Sequence, residues 1–351
     1  MLYDALSGLR LEIDSIATEV LSRTISPEFT RKTTVVHLHG NGEEGLGEDV
    51  TYAPQEHDAD RFPRPELAGE WTFASFAARL DRLELFPGGE PGQHAFRDYR
   101  RWAFESAALD LALRQAGRSL AEALEREPRP ARFVSSTRAS SLDPWLELYP
   151  TLRFKLDPTP DWTDGFVDAL AARGVVDVVD LKGQYHGTVV DTPPDAELYE
   201  RVARAFPDAW IEDPNLTGAM DPVLRPYRDR ITWDAPIHSW ADVEALPFPP
   251  RCLNVKPSRF GSLERLLEFY DRCEEAGIAL YGGGQFELGP GRGQIQLLAA
   301  LFSADGPNDV APGGYNDPEP LPGLETSPLE PRPEPVGFRR AATRTAAQPA
   351  R

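Results

Sequence analysis

Lysine is the scarcest charged residue in this chain. Of 37 basic residues, four are lysine (Lys32, Lys155, Lys182 and Lys256) and 33 are arginine. Arginine keeps its proton at any pH near neutrality, whereas a lysine in a cleft can be tuned into a base or a Schiff-base nucleophile. Lys155, Lys182 and Lys256 lie at or just past the ends of strand-like runs, which marks an enzyme that works with lysine. Cysteine is also scarce: Cys252 and Cys273 cannot build a disulfide framework. No apolar run reaches the length of a membrane span, and the start, Met-Leu-Tyr-Asp-Ala-Leu, carries no basic signal-peptide region. Positive charge is in deficit, at a net −19 spread along the chain, which argues against nucleic-acid and anionic-membrane partners. The expectation is a soluble cytoplasmic protein of 351 residues, long enough for one large or two modest domains.

The first part of the chain reads as β-rich. Residues 9–13 and 33–39 alternate as half-buried strands do. The Gly-rich stretch 40–48 is acidic and has no Lys, Ser or Thr placed to cradle phosphate, so it reads as a hairpin loop. Helical periodicity follows over 68–85 and 98–126. From about 130 the pattern becomes strand, loop, helix, repeated. Apolar strands end near Ser135, Asp157, Asp180, Glu212, Asp234, Lys256, Gly282 and Val310, with helices over 163–173, 195–205 and 262–276. Eight such units predict an α/β chain whose parallel sheet closes into a barrel. An open doubly wound sheet would call for GxGxxG after its first strand, and none is there. Beyond Asn316 the chain turns Pro-rich, and 341–351 reads as a disordered tail.

A barrel of this kind carries its chemistry at the C-terminal ends of its strands. Those ends present Lys155 and Asp157, Asp180, Glu212, Asp234, Lys256, then Gln285 and Glu287. Three acids closing three successive strands would repel one another unless a hard cation sits between them, and Mg²⁺ takes oxygen ligands while leaving sites open. Read singly, each acid is also a plausible helix N-cap. On the third strand Asp180 is preferred to Asp177, because Val178 and Val179 precede it and Gly183 soon follows. On the fourth, Glu212 ends the strand, whereas Asp213 precedes Pro214, where the backbone already turns away. His186 and His238 follow ligand-bearing strands and read as loop histidines within reach of substrate. Arg292 starts a helix and reads either as an anion-binding group or as surface. His37 and His39 share a strand face without evident ligand partners and read as structural.

Four segments together resemble the enolase superfamily, specifically its mandelate racemase/muconate-lactonising branch and the o-succinylbenzoate synthase-like members within it. They are Trp-Ile-Glu-Asp-Pro at 210–214, Ile-Thr-Trp-Asp-Ala-Pro-Ile at 231–237, Leu-Asn-Val-Lys-Pro-Ser-Arg-Phe-Gly-Ser-Leu-Glu at 253–264, and Gly-Gly-Gly-Gln-Phe-Glu-Leu-Gly-Pro-Gly at 282–291. The resemblance implies a modified TIM barrel, (β/α)7β, over 129–317. It also implies an N-terminal α+β capping domain over 1–128, completed by 318–340. Further implications are a magnesium ion on Asp180, Glu212 and Asp234, Lys256 as acid/base, and a loop at 14–32 that shapes the pocket mouth with the Gly-rich stretch. The shared reaction removes a proton α to a carboxylate, giving an enediolate bound to the metal.

Two departures stand out. The branch's Lys-x-Lys on the second strand reads Lys155-Leu156-Asp157 here, and its Asp-x-Asn on the third reads Asp180-Leu181-Lys182. Residues two apart on a strand share a face, so Lys182 is placed to replace the missing base from the next strand, or Lys256 acts alone. The stretch from Asp180 to Asp191 also resembles the methylaspartate ammonia-lyases. The expected function is therefore a Mg²⁺-dependent lyase, by dehydration or ammonia elimination, on a small carboxylate. Asp157, Gln285 and Glu287 are candidate substrate contacts, and homo-oligomerisation is compatible with this reading. One alternative is a racemase or epimerase with Lys155 or Lys182 facing Lys256 across the substrate. The other is a barrel kept as a binding protein.

Overall fold

In the computed structural model, residues 1–26, 29–138, 141–185, 192–315, 317 and 319–341 are described. Alternating residues in the first seventy-two positions build two small antiparallel sheets. β1 (Arg10–Ile13) pairs with β5 (Gly69–Thr72), and β2 (Ser15–Ser26), β3 (Phe29–Gly40) and β4 (Glu43–Asp49) form a meander in that order. The segment expected as a loop over 14–32 is thus mostly the arms of a long hairpin.

The Gly-rich stretch is also not a loop as expected. Its turn is confined to Asn41 and Gly42, both at positive φ (49° and 76°), and from Glu43 onward it is strand β4. The glycines of β4 serve close packing against the helix Ala95–Gln115. A Cβ on Gly45 would lie 2.2 Å from the Ala107 carbonyl oxygen, and one on Gly47 would lie 2.0 Å from that of Ala103. That helix is buried almost all round, from Phe96 to Leu113.

Two helix expectations shorten for local reasons. Residues 69–72 join β1 as β5, and a capping box between Thr72 and Ser75 starts the helix only at Phe73, which then runs to Leu80. The second expected helix stops at Gln115, ahead of a turn through Gly117, and a short helical turn, Leu120–Ala123, follows.

The strands β6 (Val134–Thr137), β7 (Arg153–Leu156), β8 (Val176–Asp180), β9 (Trp210–Glu212) and β10 (Ile231–Thr232) form one parallel sheet. β11 (Cys252–Val255) and β12 (Ala279–Gly282) form another. Single hydrogen bonds close the circuit. Asn254 N–H donates to Trp233 O (3.0 Å), joining β10 to β11, and Asp309 N–H donates to Gly282 O (2.7 Å). Val134 N–H donates to Asn308 O (2.9 Å), so residues 308–309 fill the eighth position between β12 and β6. The result is the expected α/β barrel of the (β/α)7β kind. The helices Asp164–Ala171, Ala196–Ala205 and Leu263–Ala276 fall where periodicity placed them. Asp157, Asp234 and Lys256 lie one or two residues past their strands rather than within them.

The two halves dock through named groups. Glu48 of β4 accepts hydrogen bonds from the N–H groups of Leu288 (2.7 Å), Gly289 (3.0 Å) and Gly291 (2.9 Å), and so holds the start of the helix Pro290–Phe302. The C-terminal stretch returns to both halves: Leu329 pairs antiparallel with Ala131, and Phe338 N–H donates to Asp110 of the long helix (2.7 Å). The expected tail, from residue 342 on, lies outside the described residues. No helix among the described residues is long and apolar enough to cross a membrane.

Candidate active site

The in-register pairing of β8 with β9 sets Asp180 directly beside Glu212. Lys155, on β7, reaches up between them. Its ammonium lies 3.0 Å from Asp180 Oδ2 and donates to Glu212 Oε1, and only 1% of the side chain is exposed. Burial alone would drive a proton off this amine. The carboxylates of Asp180 and Glu212 outweigh it and hold the lysine well above its ordinary range. Glu212 also accepts from Tyr281 Oη (2.5 Å) and from Asn254 Nδ2 (3.4 Å). Asn254 and Tyr281 are register partners on β11 and β12, which is why both point at the same carboxylate.

Lys182 lies beyond the end of β8 at φ 55°, so strand alternation does not place it. It nonetheless returns to the site. Its backbone N–H donates to Asp180 Oδ1 (3.1 Å), its ammonium donates to Asp180 Oδ2, and Asp157 Oδ1 lies 3.6 Å away. Asp157 also accepts from Arg138 (3.0 Å). Burial works against the Lys182 charge, but Asp180 and Asp157 hold it above the usual lysine range.

Asp234 stands on the other side of the ring. Lys256 donates to its Oδ2 (2.8 Å), Arg259 to its Oδ1 (2.7 Å) and Tyr185 Oη to its Oδ2 (2.7 Å). The backbone of Gly283 passes so close that a Cβ there would meet Asn254 Oδ1 at 2.6 Å and Lys256 Cε at 2.9 Å. This position therefore requires glycine. Asp213, at φ 49°, accepts the N–H groups of Asp234 (2.8 Å) and Ala235 (2.9 Å) on its two oxygens. Burial, with Asp234 and Asp180 nearby, raises its carboxyl to about 7. Burial and Asp180 likewise push Glu212 well up. Asp180 itself stays ionised against its burial, held low by Lys155 and Lys182.

The donor set suits a hard dication. Asp180, Glu212 and Asp213 each offer a carboxylate oxygen within 4.8 Å of the other two. Asp234, the expected third ligand, is not in that tightest set; Lys256 and Arg259 bond its carboxylate. Thr232 Oγ1, Asn254 Oδ1 and Asp157 Oδ1 are buried without a hydrogen-bond partner, so polar capacity is left over at this end of the barrel.

The remaining candidates separate. Gln285 donates to Tyr99 Oη (3.0 Å), and its N–H donates to Glu287 Oε1 (2.6 Å), while Arg292 lies 3.2 Å from Glu287 Oε2. Arg292 therefore answers a carboxylate of its own loop. His238 spans two carbonyls, those of Arg259 (3.2 Å) and Ala235 (3.1 Å), and is structural. His186 lies outside the described residues. His37 and His39 do have a partner: Glu44 Oε1 lies 2.9 Å from His37 and 3.9 Å from His39. Sequence reasoning missed Arg259, Tyr185 and Tyr281. Arg259 had a signal, since Pro257 opens a short helix that stacks residue 259 over residue 256.

Two models of one family cover nearly the whole chain. The domain of unknown function (DUF8230) C-terminal domain matches residues 127–317, and the corresponding N-terminal domain matches 4–123. A Bacillus subtilis (strain 168) o-succinylbenzoate synthase is 27% identical over 233 residues, 59% of this chain and 57% of that protein, so the match spans little more than half of that relative. Among solved structures, a dipeptide epimerase from Methylococcus capsulatus complexed with Mg ion has a TM-score of 0.66 at 20% identity, covering 85% of this chain and 90% of that one. A muconate cycloisomerase from Pseudomonas fluorescens has a TM-score of 0.64 at 21% identity, covering 86% and 87%. With both of its halves matched and its barrel shared with these enzymes, the chain belongs to the DUF8230 family and has the fold of the enolase superfamily.

Proposed function

We propose that this chain is a Mg²⁺-dependent lyase that removes the proton α to the carboxylate of a small acid and expels a group from the neighbouring carbon. The observation that carries the reading is the convergence of three lysines, the buried Lys155 and Lys256 and the half-buried Lys182, on the carboxylates that close adjacent strands. An α-proton beside a carboxylate is very weakly acidic, and a bound dication lowers the cost of the second negative charge that develops as the proton leaves.

In this reading Asp180, Glu212 and Asp234 hold the cation, and Asp213 fixes the backbone that carries Asp234. Lys256 takes the proton from the β11 side. Lys155 stays protonated and balances the carboxylates, while Tyr281 and Asn254 orient Glu212. Asp157, Gln285 and Glu287 form the substrate's rim. Residues 1–128 with 318–340 act as a cap over a catalytic barrel at 129–317. Similarity to a synthase, an epimerase and a cycloisomerase supports enolase-type chemistry in general. Assigning a single base, Lys256, fits elimination.

Lys182 favours a second reading. It stands across the ring from Lys256, which is the arrangement a racemase or epimerase needs. The deciding experiment screens small carboxylates for α-proton exchange in D₂O, with Mg²⁺ and with chelator. Mg²⁺-dependent exchange with loss of a leaving group supports the lyase. Exchange with inversion supports the racemase. No exchange with any acid, while one of them binds, points to a binding protein.

A further inference from the structure

The meander of β2, β3 and β4 carries a side-chain cluster far in sequence from the barrel lysines. Its register decides which residues share a face. His39 is paired with Glu44, His37 with Ala17 on one side and Leu46 on the other, and Glu19 with Val35. Because partners across a ladder and residues two apart on a strand point the same way, His37, His39, Glu44 and Glu19 all project from one face. The imidazoles of His37 and His39 lie nearly parallel, 20° between planes and 6.2 Å between centroids. All four side chains are reached by solvent, from 20% exposure at His37 to 61% at Glu19.

We propose that this face binds a first-row divalent cation of the zinc type through His37, His39 and Glu44. Two histidines at i and i+2 on one strand, met by a carboxylate from the next, put two nitrogens and an oxygen around one point. His37, His39 and Glu44 each offer an atom within 4.8 Å of the others. Glu44 Oε1 lies 2.9 Å from His37 Nδ1 and 3.9 Å from His39 Nε2, while Glu19 Oε2 faces the other ring nitrogen of His37, Nε2, at 3.7 Å and so stands outside the donor set. Tetrahedral zinc with bonds of about 2.0–2.2 Å spaces its donors roughly 3.3–3.6 Å apart, so the 2.9 Å and 3.9 Å separations to Glu44 bracket the requirement.

An ordinary ion-pair cluster accounts for the geometry less well. One carboxylate oxygen serves two imidazoles, and the His39 imidazole makes no hydrogen bond among the described residues. The neighbouring cation, Arg339, lies 4.0 Å from the other oxygen, Oε2, and leaves Oε1 to the histidines. Imidazole donors select zinc, copper, nickel or cobalt over magnesium, so the site is chemically distinct from the all-oxygen set in the barrel. A bound ion would tie β3 to β4 next to the Asn41–Gly42 turn, on the strand that carries Glu48.

The test uses the full chain with Mg²⁺ in large excess. Zn²⁺ is titrated in competition with a chromophoric chelator, and Co²⁺ is added to read the visible spectrum of a tetrahedral site. The expected result is one tightly held Zn²⁺ per chain. Affinity should fall at least about tenfold in the His37→Ala/His39→Ala double variant and separately in Glu44→Gln. The tetrahedral Co²⁺ bands should disappear in both, while far-UV circular dichroism stays as in the parent. Unchanged Zn²⁺ affinity in either variant overturns the proposal, and so does a parent that binds no Zn²⁺ below about 100 µM.

Discussion

Replacing Lys256 with Met separates catalysis from folding in a way the site makes calculable. Methionine keeps most of the unbranched stem that runs past Gly283 and removes only the ammonium. Asp234 is not left as a bare buried charge, because Arg259 at 2.7 Å and Tyr185 at 2.7 Å still bond it. The stability cost should therefore be that of a lost charged hydrogen bond, roughly 1–3 kcal/mol. The roughly 3–5 kcal/mol of an orphaned buried ion would not apply. If Lys256 is the base, α-proton exchange falls by about 10²–10⁴, equivalent to about 2.7–5.4 kcal/mol of barrier. The assays are exchange by NMR in D₂O, denaturant unfolding, and calorimetry of Mg²⁺ binding on the same variant. Exchange within tenfold of the parent would falsify the assignment of the base. If Lys182→Arg were inactive at the same time, the base would lie on the third strand.

Other perturbations test separate links of the argument. Glu212→Gln should weaken Mg²⁺ binding at least about tenfold by calorimetry with little loss of stability, and unchanged affinity would remove Glu212 from the metal set. Asp49 and Arg100 form a fully buried pair at 2.8 Å. Burial pushes the Asp49 carboxyl up but Arg100 holds it below its ordinary 3.8, so its contribution is present above pH 3.8 and is lost as pH falls through the depressed value. Asp49→Asn should cost about 3–5 kcal/mol at neutral pH and flatten the acid limb of the stability curve; an acid limb as steep as the parent's would refute this. Gly47→Ala drives a methyl to within 2.0 Å of the Ala103 carbonyl, so the long helix must move. A loss of about 1–3 kcal/mol in thermal unfolding is expected, and an unchanged Tm would show that β4 does not press on that helix.

The barrel was legible because its signals are local and repeated. Short apolar runs, five of which (β7 to β11) end at or just before an acid or a lysine, mark both the fold class and the end that carries chemistry. The capping half was harder to read. Gly45 and Gly47 carry the composition of a loop, yet they are glycine because a helix lies against them, a non-local cause that no window of sequence displays. The helix expected over 98–126 ended early for a local reason, the turn at Gly117. In the site, strand-end residues were identifiable one at a time, while their mutual contacts were not. Tyr281 reaches Glu212 only because β12 lies beside β11. Lys182 reaches Asp180 through a left-handed backbone, not through the strand alternation that predicted it.

The exchange of residues between the second and third strands is best understood as one change rather than two. Relative to the branch the chain resembles, position 157 has lost a cation and position 182 has gained one, and the two side chains lie 3.6 Å apart. Substituting Asp157 alone would leave the ring short of a cation, and adding Lys182 alone would place a third ammonium near Lys155 without a counter-charge. Made together, the changes keep the local charge balanced while placing the amine against Asp180. A double-mutant cycle across the two positions follows from this. The single changes Asp157→Asn and Lys182→Asn should each destabilise the chain, and the double change should recover part of the loss, because it removes both charges at once. Additive losses would mean that the pair is coincidental and that each residue answers to a different partner, Arg138 for Asp157 and Asp180 for Lys182.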